Sequence, residues 1–185
     1  MKPQGHWRNI GKNNNSTNKL TVLLFVIYLA ALFWILLFKL GVRFSYMGNR
    51  NVNLIPFNEF ITLNGKIDLG EIIMNVVIFV PLGIYAGILF IRWHIGKNLF
   101  FFFLISLIVE GLQFILRVGA FDITDIITNT VGGIIGLMIF KAIEKLLRNR
   151  FKAQKFINII ALIGTSLMVL FLLLLKTNHL WIRYQ

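Results

Sequence analysis

The 185-residue sequence contains no cysteine, and only 14% of its residues are charged. The missing cysteine excludes disulfide bonds, thiolate metal sites and a cysteine nucleophile. A soluble domain usually carries about 25% charged residues, so the low charge content argues against a soluble protein. In place of charge the chain has apolar residues, which make up 57% of it, with a mean hydropathy of +0.78. The composition therefore predicts an integral membrane protein.

Acidic residues are scarce as well, since 7 Asp and Glu stand against 19 Lys and Arg and give a net charge of +12. The basic residues lie between apolar segments, where the positive-inside rule places them. They do not form a basic stripe with interleaved aromatic residues, so nucleic-acid binding is excluded. The three histidines, His6, His94 and His179, are scattered and indicate neither a metal site nor a catalytic triad.

Five apolar segments are long enough to cross a bilayer, or nearly so, because about 20 apolar residues span its hydrocarbon core. They are 20–38, 72–91, 99–116, 125–140 and 156–175, and the fourth is short. The fold class predicted is an all-α integral membrane protein, a bundle of about five transmembrane helices. Residues 1–19 are predicted to be a disordered, basic cytoplasmic leader, and residues 20–185 a single transmembrane domain.

The distribution of Lys and Arg predicts the orientation of these spans. With the N-terminus in the cytoplasm, twelve of the basic residues fall on the inner side and seven on the outer side. The cluster at 141–155 contributes most to this difference. The positive-inside rule therefore predicts a cytoplasmic N-terminus and an external C-terminus.

Polar residues in the third and fourth spans form the candidate site. A carboxylate in the middle of a membrane helix costs about 2.5–3.5 kcal/mol by insertion scales, so a chain that keeps several there has a use for them. Ser106, Glu110, Gln113 and Arg117 share one helical face by spacing. A short turn connects this face of the third span to a polar face of the fourth span. The two faces are therefore predicted to meet near the outer leaflet. The candidates are Asn75, Glu110, Gln113, Arg117, Asp122, Asp125 and Asn129.

Structural alternatives exist for most of these residues. Asp122 and Asp125 have the chemistry of a helix N-cap, and Arg117 can serve only to neutralise a carboxylate. Ser106 and Asn75 have the chemistry of interhelical hydrogen-bonding groups. Glu110 has the weakest structural explanation. Whether a metal is bound is left open, with Glu110, Asp122 and Asp125 as the candidate ligands.

Three further features concern the surroundings of the site. Pro81 interrupts the second span and frees backbone carbonyls beside Asn75, which indicates either a pocket or a simple kink. The outer loop 41–70 is long for a helix connection and is predicted to lie over the polar cluster. Gly132 and Gly136 form a small-xxx-small pair, which predicts close contact between the fourth span and another helix.

The chain resembles the VanZ family of small bacterial membrane proteins. The resemblance rests on NLIPF at 53–57, NVVIFVPLG at 75–83 and EGLQFILRVGAFDITDIITNTVGGIIG at 110–136. It implies a location in the bacterial cytoplasmic membrane and lowered susceptibility to teicoplanin-type lipoglycopeptides. The family's polar positions fall here on Asn75, Glu110, Gln113, Asp122, Asp125 and Asn129, without settled catalytic roles.

Three functions remain open at this point. The first is a non-enzymatic resistance factor whose partners are the bilayer and a lipoglycopeptide or a lipid-linked wall precursor. The second is a small intramembrane enzyme acting on a lipid-linked cell-envelope substrate. The third is a proton path or transporter that uses Glu110, although five spans without an inverted repeat argue against it. The sequence identifies no cofactor and does not decide whether a reaction is catalysed.

Overall fold

The computed structural model describes residues 5–38, 52–57 and 69–176. This part of the chain forms five helices and two very short strands, in the order α1 (Gly5–Phe38), β1 (Val52–Asn53), α2 (Leu69–Leu89), α3 (Ile95–Leu116), β2 (Phe121–Asp122), α4 (Ile123–Leu147) and α5 (Arg150–Lys176). All five helices are long and apolar enough to cross a membrane. The predicted set of five apolar helices is confirmed.

Two helices differ in length from their predicted spans. Helix α4 has 25 residues, so it is not the short span expected from 125–140. It starts earlier because Asp122 caps it, and it continues through the basic residues that follow Phe140. Helix α1 begins at Gly5, inside the segment 1–19 for which the sequence predicts disorder. Extending an existing helix costs far less than nucleating one, so the apolar span can propagate into a polar leader.

The chain divides into two compact units, Phe25–Leu146 and the pair of segments Met1–Leu24 and Leu147–Gln185. The predicted single domain 20–185 includes parts of both. The core of the unit Phe25–Leu146 is apolar and comes from the first four helices. Its buried side chains are Leu32, Leu36, Phe79, Leu82, Ala86, Phe102, Val109 and Leu137.

Helices α2 and α4 meet backbone against backbone in this unit. A Cβ atom added to Gly132 would collide with the carbonyl oxygen of Val76, and one added to Gly136 would collide with that of Val80. From the other side, a Cβ on Gly83 would collide with the carbonyl oxygen of Gly133. Only glycine permits this approach. The prediction that Gly132 and Gly136 face another helix closely is confirmed.

Pro81 lies inside helix α2, which continues past it to Leu89. Proline has no N–H for the carbonyl four residues earlier, so the backbone around it needs other partners in an apolar setting. The Tyr28 hydroxyl donates a 2.8 Å hydrogen bond to the carbonyl of Ile78, next to the position that Pro81 leaves without its helical donor. Helix α1 thus supports the weakened turn of α2.

The second unit holds a buried polar network between the first part of α1 and α5. The Thr21 hydroxyl lies at its centre and is fully buried. It accepts hydrogen bonds from Nε2 of Gln154 at 2.7 Å and Nδ2 of Asn158 at 2.9 Å, and donates to the Thr17 carbonyl at 2.9 Å. Hydrogen bonds of this kind join helices where apolar packing alone gives little specificity.

Candidate functional site

The site begins with a strand pair at one end of the unit Phe25–Leu146. Strands β1 and β2 are parallel, with Val52 opposite Phe121 and Asn53 opposite Asp122. The Asn53 side chain donates from Nδ2 to Oδ2 of Asp122 at 3.1 Å, and its Oδ1 accepts the N–H of Ile55. The Phe57 N–H donates to the Thr124 hydroxyl at 2.9 Å. Residues 52–57 are therefore attached to the start of α4; residues 41–51 and 58–68 of the predicted loop lie outside the described residues.

Asp122 is the N-cap of α4. Its Oδ1 accepts the N–H of Thr124 at 2.7 Å, which satisfies one of the free N–H groups at the helix start. In a capping box, the side chain three residues later would bond back to the N–H of the cap. Here Oε2 of Glu110 on helix α3 accepts that N–H, at 3.3 Å. Glu110 thus takes the place of Asp125 in the cap.

Asp125 faces helix α2. Its Oδ1 accepts a 2.7 Å hydrogen bond from Nδ2 of Asn75, which lies just above the turn containing Pro81. Both side chains are buried, with 9% and 8% of their surface exposed. An amide paired with a carboxylate orients the carboxylate without cancelling its charge. Asn75 is therefore an interhelical anchor and a member of the cluster at the same time.

Gln113 and Arg117 lie near the end of α3 but differ in burial. Gln113 is buried and donates from Nε2 to the carbonyl of Leu36 at 2.9 Å, close to the end of α1. It thereby satisfies one of the unpaired carbonyls at a helix C-terminus. Arg117 is exposed and ends α3 in the left-handed conformation, with φ of 58°. Its backbone N–H points at the carbonyls of Gln113 and Phe114, so its structural role is that of a helix cap.

Asn129 and Ser106 lie one helical turn below Asp125 and Glu110. The Asn129 amide donates from Nδ2 to the Ser106 hydroxyl at 2.9 Å, and both side chains are almost completely buried. Oδ1 of Asn129 has no hydrogen-bond partner among the described residues. One turn further along, the buried side chains are the rings of Phe79 on α2 and Phe102 on α3. The Ser106–Asn129 pair therefore lies at the boundary between the polar residues and the apolar interior.

The structure pairs Asn75 with Asp125 and Glu110 with Asp122, and it pairs Asn129 with Ser106. Gln113 is bonded to the end of α1, and Arg117 lies at the exposed edge. The polar cluster has three carboxylates, and its amide side chains come from α2, α3, α4 and β1. Such an arrangement can bind a hydrogen-bond donor or a cation, or divide acid and base roles between carboxylates. Among the described residues, no group of three or more His, Asp or Glu side chains is placed to hold a metal ion. Metal binding by Glu110, Asp122 and Asp125 stays a prediction.

Sequence reasoning missed two members of the cluster. Asn53 contacts Asp122 from 69 residues away, so no local spacing could connect them. The NLIPF motif was the available signal, because a polar residue opening an apolar motif in a membrane protein needs a polar partner. Thr124 is fully buried and accepts the N–H of Phe57. Its position directly after an N-cap gave no indication of a contact with a distant loop.

Comparisons with known proteins agree with the resemblance in the sequence. The family model described as VanZ/LLP1 matches residues 25–148, nearly the same range as the compact unit that holds the polar cluster. The chain is also 37% identical over 164 residues to Protein VanZ of Enterococcus faecium, which covers 87% of this chain and 94% of that protein. No solved structure shows a significant match. On the extent of these two matches, the chain belongs to the VanZ/LLP1 family.

Proposed function

We propose that this chain is a multi-pass protein of the bacterial cytoplasmic membrane that lowers susceptibility to teicoplanin-type lipoglycopeptides. The proposal is supported by the match to Protein VanZ along nearly its whole length. It is also supported by the residues that the family resemblance identifies, because Asn75, Glu110, Asp122, Asp125 and Asn129 form hydrogen bonds to one another or to neighbours within one buried cluster.

The proposed orientation has the N-terminus in the cytoplasm, the C-terminus outside and the polar cluster in the outer leaflet. The twelve-to-seven distribution of Lys and Arg supports it. The cluster lies at the C-terminal ends of α1 and α3 and the N-terminal ends of α2 and α4, so in this orientation all four ends are external. A lipoglycopeptide inserts its acyl chain in that leaflet, as does a lipid-linked wall precursor.

The observation that carries the proposal is the burial of Glu110, of which 2% is exposed, between polar groups of two helices. Burying a carboxylate is expensive unless it binds partners. A cap for α4 needs no carboxylate from another helix, since Asp122 already supplies one. Glu110 is therefore best explained as part of a binding site.

The test is expression in a susceptible Gram-positive host. The wild-type chain should raise tolerance to teicoplanin more than to vancomycin, because only the antibiotic with an acyl tail is held at the depth of the cluster. Glu110→Gln should lose the protection. The matched control is Glu144→Gln, which removes a carboxylate near the other end of α4 and should protect like the wild type. Equal protection against both antibiotics, or none, would contradict the proposal.

The second candidate is an intramembrane enzyme that acts on a lipid-linked cell-envelope substrate. The cluster of Glu110, Asp122 and Asp125 favours it, since neighbouring carboxylates with different partners can serve as acid and base. Incubating the purified protein with a lipid-linked wall precursor, with and without Mg²⁺, distinguishes the two. Turnover that Glu110→Gln abolishes would assign catalysis; binding without turnover supports the resistance factor.

A further inference from the structure

The connection between α2 and α3 has basic residues and no acidic ones. Arg92, His94 and Lys97 lie in it or in the first turn of α3, and all three are exposed. The sequence has no acidic residue between Glu71 and Glu110. The start of α3 adds the partial positive charge of a helix N-terminus. This end of α3, opposite to the end that holds the polar cluster, therefore attracts anions.

A pocket of about 410 Å³ lies beside this connection. Its lining includes Trp93, His94, Lys97, Phe100, Phe101 and Leu104, and none of its described lining residues is acidic. Lys97, Phe100 and Leu104 share one face of α3, because they are three and four positions apart. The charged residue lies at the helix start, and the apolar residues follow one and two turns further along the span. An anionic phospholipid has the same order, from its head group to its acyl chain.

The aromatic wall of the pocket is held by contacts within the described part of the chain. The Trp93 ring stacks on the Phe90 ring with 4.0 Å between their centroids. Both rings meet the Phe101 ring edge-on, at 5.7 and 5.4 Å. The buried Asn98 amide donates from Nδ2 to the carbonyls of Trp93 and His94, at 3.4 and 3.2 Å. The pocket is thus formed before a ligand arrives, so little ordering of side chains opposes binding.

His94 and Lys97 supply hydrogen-bond donors at the charged end of the pocket. Nδ1 of His94 accepts the N–H of Lys97 at 3.4 Å, which makes His94 the N-cap of α3. A neutral imidazole whose Nδ1 is an acceptor carries its proton on Nε2, so Nε2–H is a donor. The Lys97 ammonium group has three more N–H donors. Phosphate oxygens accept charge-assisted hydrogen bonds of this kind.

We propose that this pocket binds an anionic phospholipid. The phosphate accepts hydrogen bonds from Lys97 and from Nε2 of His94. One acyl chain lies along Phe100 and Leu104, of which 64% and 38% are exposed. A free phosphate would leave the apolar wall uncovered, and a zwitterionic phospholipid would bring a positive group to a basic site. The inference goes beyond the proposed function, because Lys97 is about 20 Å along α3 from Glu110 of the polar cluster.

Trp93 lines the pocket and can report which lipid occupies it. Trp7→Phe, Trp34→Phe and Trp181→Phe together leave Trp93 as the single tryptophan, and this full-length protein is placed in phosphatidylcholine vesicles. Phosphatidylglycerol with brominated acyl chains is added in increasing mole fractions, and quenching of Trp93 fluorescence measures its binding. Brominated phosphatidylcholine is the comparison. Phosphatidylglycerol should quench at a mole fraction about fivefold lower, since attraction of an anionic lipid to one lysine has about that effect.

Two variants test the charged end of the pocket in the single-tryptophan protein. Lys97→Gln should weaken phosphatidylglycerol binding about fivefold. His94→Asp keeps a preferred N-cap residue but adds negative charge beside the phosphate, so it should weaken binding further. The matched control is Lys141→Gln on α4, which removes the same charge at the same end of the helices, where Phe140 lies against Gly87 of α2. Lys141 is exposed and is not a described lining residue, so this variant should keep full binding.

Four results would overturn the inference. Equal quenching by the two lipids would show a site for acyl chains without selection of the head group. Displacement of brominated phosphatidylglycerol by glycerol phosphate in solution would show a site for free phosphate. An absence of quenching by either lipid would show that another part of the chain, or a second copy, covers the pocket. Equal losses in Lys97→Gln and Lys141→Gln would show a general effect of surface charge.

Discussion

Oε2 of Glu110 accepts the backbone N–H of Asp122 at 3.3 Å, so a carboxylate of one helix completes the cap of the next. The two residues are twelve positions apart and are connected through the turn that follows Arg117. Because the Asp122 side chain holds both the N–H of Thr124 and the Asn53 amide, this one bond joins three segments of the chain. Glu110 and Asp122 are therefore structurally dependent on one another.

This dependence predicts that their mutations do not add. Glu110→Gln, Asp122→Asn and Asp125→Asn should each abolish protection against teicoplanin while the protein stays in the membrane. The double variants should look no worse than the single ones, because residues in one network are coupled. The measurement is the teicoplanin susceptibility of cells that express each variant. An immunoblot of the membrane fraction checks that each variant is present in equal amount. Single variants with partial effects that multiply in the doubles would show separate sites.

The contact between α2 and α4 predicts a position-specific effect of alanine. Gly132→Ala and Gly136→Ala should lower the folded yield and the unfolding midpoint in detergent, because each new methyl group meets a backbone oxygen of α2. Overpacking of this kind costs about 1–3 kcal/mol. The control is Gly111→Ala on α3, where nothing lies within 4 Å of the added atom. It should be neutral, and a similar loss there would show that any alanine is harmful.

The polar network around Thr21 predicts a large effect for a small change. Thr21→Val keeps the shape but removes the oxygen that accepts from both Gln154 and Asn158. Each buried amide then loses its shorter hydrogen bond and keeps a longer one, to Asn18 for Gln154 and to the Thr17 carbonyl for Asn158. A cost of about 1–3 kcal/mol is expected. Thr130→Val is the control, because the hydroxyl of Thr130 donates to the Ile126 carbonyl of its own helix and joins no other described helix. The thermal unfolding midpoint in detergent should fall clearly for Thr21→Val and should not change for Thr130→Val.

The orientation is tested with reporter fusions. A reporter after Gln185 should be active outside the cell, and one inserted after Asn149, between α4 and α5, should be active in the cytoplasm. The basic residues at 141–155 are the reason for the second expectation. A cytoplasmic signal from a correctly inserted C-terminal fusion would contradict both the direction of the spans and the outer-leaflet position of the cluster.

The sequence predicted the helices well because a membrane span needs about 20 apolar residues, and every segment except the short fourth one comes close to that length. It also predicted the face shared by Glu110 and Gln113, since helical spacing alone determines it. Asp122 as a cap was one of two interpretations, and the structure shows that the residue caps α4 and contacts Asn53 as well.

Other features depended on contacts between distant residues. The pairing of Asn53 with Asp122 comes from two strands of two residues each, too short for any alternating pattern to indicate. The start of α1 at Gly5 depends on helix propagation from the span, which composition does not report. Arg117 was predicted from its charge, yet the structure gives its backbone the role of ending α3.

The strand pair also sets the order in which the site is assembled. Asp122 is synthesised 69 residues after Asn53, with α2 and α3 between them. At translation rates of about 5–20 residues per second, that interval is roughly 3–14 s. Asn53 can therefore meet its partner only after the ribosome has produced two more membrane helices and begun a fourth. A nascent chain that stops before α4 contains Asn75 and Glu110 but no completed site, so the cluster is finished only late in biogenesis.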